Sequence, residues 1–267
     1  MPIQQPIGVF DSGLGGISVL REIHRLLPAE DLIYVADSGH APYGGKEPDY
    51  IRHRSLRVAD FLLGQGVKVL VVACNTATVH AVEFLRATLP IPVVGIEPAV
   101  KPAARLTQSG VIGVLATQQT VNSPRLRRLI HEHASGVEVI TQACPGLVEH
   151  VEAGDFSSED VLQLLKHYTL PLLDAGADTL VLGCTHYPFL SGAIHAVTHG
   201  RMTVLETSTP VTHQLMRILE KHELRRTSSA PGTIRFYSSR HDEQHYISMQ
   251  TLWQNRLDLV LLPAPYR

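Results

Sequence analysis

The sequence predicts an α/β protein made of two pseudo-symmetric α/β domains with mostly parallel sheets and a site between them. Three observations carry that prediction. Short runs rich in Val, Ile and Leu alternate with helical patterns along the chain. Two pairs of strand-plus-turn segments match at nearly equal offsets: Ile7–Phe10 with Ile112–Leu115, 105 residues apart, and Val69–Ala77 with Thr179–Tyr187, 110 apart. The second pair aligns Cys74 with Cys184, so each half ends a strand on a cysteine.

Composition narrows the function classes. The 267 residues are 44% apolar, enough for one large or two modest cores, and 23 Lys+Arg against 25 Asp+Glu leave a formal charge of -2. With no basic stripe to neutralise a phosphate backbone, nucleic acid is not expected as a partner. Apolar stretches such as Val69–Cys74 are short, whereas a membrane span needs about 20 residues, so no membrane association is expected. The opening MPIQQPIGVF lacks a cationic region, an apolar core and a small-residue cleavage site, so a cytoplasmic location is expected. Three cysteines form no disulfide framework and leave at least one thiol free.

Taken in order, Ile7–Phe10 is the first strand, and Ile17, Leu20, Ile23 and Leu27 then recur at helical spacing. Further strands are expected at Leu32–Val35, Val69–Ala73, Val93–Ile96, Val111–Leu115, Val137–Ile140, Thr179–Gly183 and Thr203–Leu205. Ser157-Ser158-Glu159-Asp160 starts a helix carrying Val161, Leu164, Leu165 and Tyr168, which Pro171 is expected to kink or end. Boundaries near Glu97-Pro98 and Glu206 divide the chain into a first domain, residues 1–97 plus 207–267, and a second, residues 98–206. The tail, with a helix over Val211–Glu220 and apolar runs at Ile234–Ser239 and Leu257–Leu262, is expected to return to the first domain. Arg225–Gly232, rich in Ser, Thr and Gly, reads as a mobile surface loop.

Ligands gather at the carboxyl ends of parallel strands, where Cys74 and Cys184 both sit, each on a turn into the next helix. A helix N-terminus favours thiolate there. Thiols approaching a bound molecule from opposite sides suit inversion of a carbon centre, which needs a base on one face and an acid on the other. Asn75-Thr76 and Thr185-His186 follow the cysteines and offer polar groups beside exposed backbone N–H donors. Taken alone, either turn is ordinary capping. Of the 15 histidines, only His186 lies in a motif. Zinc on Cys74, Cys184, His186 and Cys144 is disfavoured by the absence of C-x-x-C or H-x-x-E-H spacing, so no metal is expected. A single thiol nucleophile with His186 as its base leaves Cys74 without a role.

The turn Asp11-Ser12-Gly13-Leu14-Gly15-Gly16 can hold an anion, but a dinucleotide fingerprint would need glycine where Ser18 stands. The P-loop pattern is absent as well. Asp11 and Ser12 suit a small zwitterion, with Asp11 contacting an ammonium or assisting the thiol of its own half. The turn Ala36–Lys46 either lines a site, with backbone donors near Tyr43 and Gly44 for a second carboxylate, or merely connects elements.

FDSGLGG (Phe10–Gly16), ADSGHAPYGGK (Ala36–Lys46), ACNTAT (Ala73–Thr78), GIEPAVKPA (Gly95–Ala103) and GCTHYP (Gly183–Pro188) together resemble the bacterial glutamate racemases. The resemblance implies a racemase without a cofactor that interconverts L- and D-glutamate for peptidoglycan, with the substrate between two α/β domains. It implies Cys74 and Cys184 as the acid/base pair, assisted by Asp11 and His186. Ser12, Tyr43, Gly44, Asn75, Thr76 and Thr185 would line the substrate site with Asp11 and His186. Glu152, in GLVEHVEAG (Gly146–Gly154), resembles the family's acidic residue near the second thiol. Glu206-Thr207-Ser208-Thr209 departs from the family pattern, and the tail matches loosely. Oligomeric state varies within the family, a homodimer being one of its forms. Alternatives are a two-cysteine aspartate or hydantoin racemase, or a non-catalytic binder of an acidic amino acid, which would have no use for twin thiols.

Overall fold

The computed structural model describes residues 2–267. The first strands and helices are β1 (Ile7–Asp11), α1 (Ile17–Leu26), β2 (Leu32–Ala36), α2 (Pro48–Gly64), β3 (Val69–Val72), α3 (Asn75–Thr88) and β4 (Val93–Gly95). There follow α4 (Val100–Leu106), β5 (Val111–Ala116), α5 (Gln118–Val121), α6 (Pro124–His133), β6 (Glu138–Ala143), α7 (Leu147–Glu152), α8 (Glu159–Asp174), β7 (Thr179–Gly183), α9 (Ser191–Thr198) and β8 (Thr203–Leu205). The tail contributes α10 (Ser208–Lys221), β9 (Ile234–Ser238), α11 (Glu243–Trp253) and β10 (Leu259–Leu261). Every residue of β1, β2, β3 and β7 is buried, which is why these strands read as largely apolar runs, with buried Asp11 and Thr179 standing only at their ends.

The strands form two wholly parallel sheets, in the orders β10-β9-β2-β1-β3-β4 and β6-β5-β7-β8. The first four strands of each half therefore follow one topology. The repeat holds down to register: Ile7 pairs with Val69 in the first sheet, and their sequence counterparts Ile112 and Thr179 pair in the second. β9 and β10 extend only the first sheet, so the tail strands return to it. β6 is a half-exposed edge.

The apolar cluster that joins the two sheets runs from α1 across α10 to α7, α8 and β7. Val211, Leu215 and Leu219 of α10 enter it beside Leu20 and Ile23, each burial contributing roughly 1.5–3 kcal/mol. Pro171 does not end α8, which runs on to Asp174. The lost donor falls in the last turn, where Ala175 N–H still reaches the Pro171 carbonyl and buried Leu172 holds the helix to the core. Residues 225–232 form no regular element, yet the segment is tethered. Arg226 N–H donates to Glu30 at 2.8 Å and Gly232 N–H to the Pro28 carbonyl at 2.8 Å. Glu30 also meets Lys68 Nζ at 2.6 Å, both side chains being 1% exposed. Among the described residues no helix is long and apolar enough to cross a membrane.

Candidate active site

Cys74 lies one residue beyond β3, after Ala73, and is the N-cap of α3. Its backbone is extended (φ -126°, ψ 122°), and its Sγ accepts the Ala77 N–H at 3.3 Å. The Ser12 hydroxyl shares a second 3.3 Å hydrogen bond with Sγ. Burial, reinforced by the Asp11 charge, pushes this thiol up to about 12, so Cys74 holds its proton at neutral pH. The helix N-terminus expected at both thiols is present only here. Cys184 follows β7, but a 3-10 turn, Tyr187–Leu190, comes next and is capped by His186. The contact of Cys184 Sγ is instead His186 Nδ1, at 3.8 Å.

His186 is one end of a relay that joins the halves. Its Nε2 lies 2.6 Å from Oε1 of Glu152, the last residue of α7, and the same oxygen accepts Leu14 N–H at 2.6 Å. Burial works against a charged imidazole, but the hydrogen bonds to Cys184 and Glu152 outweigh it and hold His186 well above its usual range. Burial likewise opposes the Glu152 charge, and His186 with Leu14 N–H keeps its carboxyl below the ordinary value. The glycine-rich turn after β1 thus does receive an anion, the carboxylate of Glu152 from the other half. Its glycines make that approach feasible: a Cβ at Gly13 would overlap Glu152, and one at Gly15 would overlap His186 and Thr185.

Asp11, at the end of β1, spans the same gap. Its Oδ1 accepts Gly13 N–H at 2.7 Å and its Oδ2 the Thr185 hydroxyl at 2.9 Å. Burial raises its pKa to about 6, a rise that the His186 charge and these two donors restrain. Ser18 donates to the Thr185 carbonyl at 3.1 Å, closing the first half onto the second.

The remaining expected residues border this centre. Tyr43 and Gly44 lie on a 3-10 turn, Tyr43–Gly45, whose buried tyrosine donates its hydroxyl to Asp37. Asn75 opens α3; it is 3% exposed, and among the described residues neither its amide oxygen nor its nitrogen has a partner, leaving both for a ligand. The Thr76 hydroxyl meets that of Thr117, after β5, at 2.9 Å, and a Cβ on Gly44 would touch Thr117 at 3.2 Å. Sequence reasoning missed Thr117. The repeat points to it, because Thr117 stands 105 residues after Ser12, the offset that relates β1 to β5. A cavity of about 470 Å³ opens beside these groups, lined by Gly44, Thr117, Cys144 and Glu149. Cys144 Sγ donates to the Gln142 carbonyl at 3.4 Å, and burial pushes its thiol up. Among the described residues no three His, Cys, Asp or Glu side chains cluster as metal ligands.

Two thiols at equivalent strand ends, with polar groups crossing between the halves, make an arrangement chemically suited to proton transfer of the racemase type. Residues 7–215 match the model of the Asp/Glu/Hydantoin racemase family, and the chain belongs to that family. It is 50% identical to the glutamate racemase of Methylococcus capsulatus, over 98% of this chain and 97% of that protein. It is 54% identical to that of Ectopseudomonas mendocina, over 88% of this chain and 90% of that one. The solved glutamate racemase of Francisella tularensis, in complex with D-glutamate, superposes with a TM-score of 0.85 at 29% identity and 98% coverage of both chains.

Proposed function

We infer that this protein interconverts L- and D-glutamate, with Cys74 and Cys184 as the two proton-transfer groups. One observation carries the assignment of roles: the thiols occupy equivalent positions in the repeat but keep different company. Cys74 is held neutral beside Ser12 and Asp11, while Cys184 faces the His186–Glu152 pair.

In this reading Cys184 Sγ, with the His186 imidazolium alongside, takes the α-proton from one face of glutamate. The electron pair left on Cα delocalises into the α-carboxylate. Cys74 then delivers its proton to the opposite face, leaving Cys184 as thiol and Cys74 as thiolate, ready for the reverse direction. The Asn75 amide, the Ser12, Thr76 and Thr185 hydroxyls, and main-chain donors at Tyr43 and Gly44 bind the carboxylates, and Asp11 faces the ammonium. The working division would be residues 1–97 with 207–267 against 98–206, a reading that the two separate sheets support. The D-glutamate formed would serve peptidoglycan synthesis in the cytoplasm, where three free thiols are also at home.

The test is L-glutamate in heavy water with the pure protein and no added cofactor. Deuterium at Cα together with D-glutamate is expected. Exchange with aspartate alone would change the substrate, and no exchange with either would defeat the reading.

A further inference from the structure

We propose that Arg54 is a positioning residue of the substrate site, which fixes the Tyr43–Gly44 turn through Asp37 and is itself held by the tail of the chain. The inference rests on the reading that this turn receives a glutamate carboxylate.

Asp37 follows β2 directly, and its N–H donates to the Asp11 carbonyl at 2.9 Å. Its carboxylate is wholly buried and takes three donors: Tyr43 hydroxyl at 2.6 Å, Arg54 Nε at 3.0 Å and Arg54 Nη2 at 2.6 Å. The opposite edge of the same guanidinium is also engaged. Nη2 donates to the Tyr266 carbonyl at 3.0 Å and Nη1 to the main-chain oxygen of Arg267 at 3.1 Å. One helical turn on, Arg57 donates to the Pro265 carbonyl, and the Tyr266 ring packs on Phe61 of α2 at 5.5 Å.

These contacts form one continuous chain from residues 265–267 through Arg54 and Asp37 to Tyr43. Only a planar fork of donors spans a carboxylate and two main-chain oxygens together, so lysine is a poor replacement. Because the Tyr43 hydroxyl is committed to Asp37, the turn has its main-chain N–H groups to offer a ligand. Their placement opposite Thr117 therefore depends on Arg54. Without that anchor, the turn must be ordered by the substrate itself, which weakens binding and spares the chemical step.

The test compares Arg54→Gln, Arg54→Lys, Tyr43→Phe and a chain lacking residues 264–267 with the unaltered protein. KM for glutamate should rise ~10-fold or more in Arg54→Gln with kcat within about threefold, less in Arg54→Lys and Tyr43→Phe. Tyr43→Phe keeps the buried Arg54–Asp37 pair, so it reports even where Arg54→Gln does not fold. Hydrogen exchange of amides 38–46 should quicken in Tyr43→Phe and in the shortened chain, while β1 amides stay protected. Unchanged KM in Tyr43→Phe, or unchanged exchange at 38–46 in Tyr43→Phe and the shortened chain, overturns the proposal. If the unaltered protein does not turn over glutamate, the functional reading falls and the exchange experiment alone decides the role of Arg54.

Discussion

Gly13 and Glu152 meet with no room for a side chain between them: a Cβ at position 13 would fall on the carboxylate that binds Leu14 N–H and His186. Gly13→Ala should therefore lower kcat/KM by ~100-fold or more by displacing the partner of His186. Gly192→Ala in α9 is the control, because among the described residues nothing beyond its own stretch of helix backbone lies within 4 Å of the added carbon. It should keep full activity and gain about 0.5–1 kcal/mol in a thermal melt. Equal activity in the two variants would remove the contact from the mechanism.

Replacing either working thiol should stop racemisation without unfolding the protein. Cys74→Ala forfeits the cap on α3, a loss of about 1 kcal/mol, and Cys184→Ala removes the contact of His186. Chiral chromatography is expected to show no D-glutamate from either, in both directions, while circular dichroism stays unchanged. Cys144→Ala should retain a rate within about threefold of the original.

Asp11, raised to about 6, sets the acid side of the pH profile. As pH falls through 6 its charge is lost, so kcat/KM should decline below that point, and Asp11→Asn should lower the plateau and abolish the limb. The stability effect has the opposite sense. A carboxyl that binds its proton more tightly when folded favours the fold below its ordinary 3.8, and that contribution is lost as pH rises to about 6. Asp11→Asn should thus gain about 2–3 kcal/mol over the original at pH 7 and nothing near pH 3, measured by urea unfolding.

Lys68 and Glu30 test the tethering of residues 225–232. Lys68→Ala leaves the Glu30 charge buried and should cost about 3–5 kcal/mol in urea unfolding, whereas Lys68→Met with Glu30→Leu should recover most of it. Folded Lys68→Ala should keep its KM, since neither residue reaches the site.

Much of this arrangement was legible because it depends on local pattern. A four- or five-residue strand buried on both faces is apolar along its middle, so β1, β3 and β7 stood out, and the two cysteine turns matched because their strands do. What escaped depends on pairing across distance. Nothing near Glu152 shows that its partner is 34 residues away, and nothing near Gly13 shows that a carboxylate 139 positions on needs the space. Cys184 was misread as helix-capped because its turn resembles that of Cys74, although His186 closes it into a 3-10 turn. Arg54 carried no motif at all. Its role arises from burial beside Asp37 and the tail, both set by packing.

The shared topology of the two sheets limits how alike their thiols can be. Copies of a chain built from L-residues superpose by rotation alone, whereas the two hands of an amino acid are related by reflection. A planar carbanion with three different substituents has no rotation that exchanges its faces and returns it unchanged. Two copies of one half could therefore supply opposed sulfur atoms, but identical surroundings would have matched neither hand. The unequal neighbours of Cys74 and Cys184 follow from that handedness.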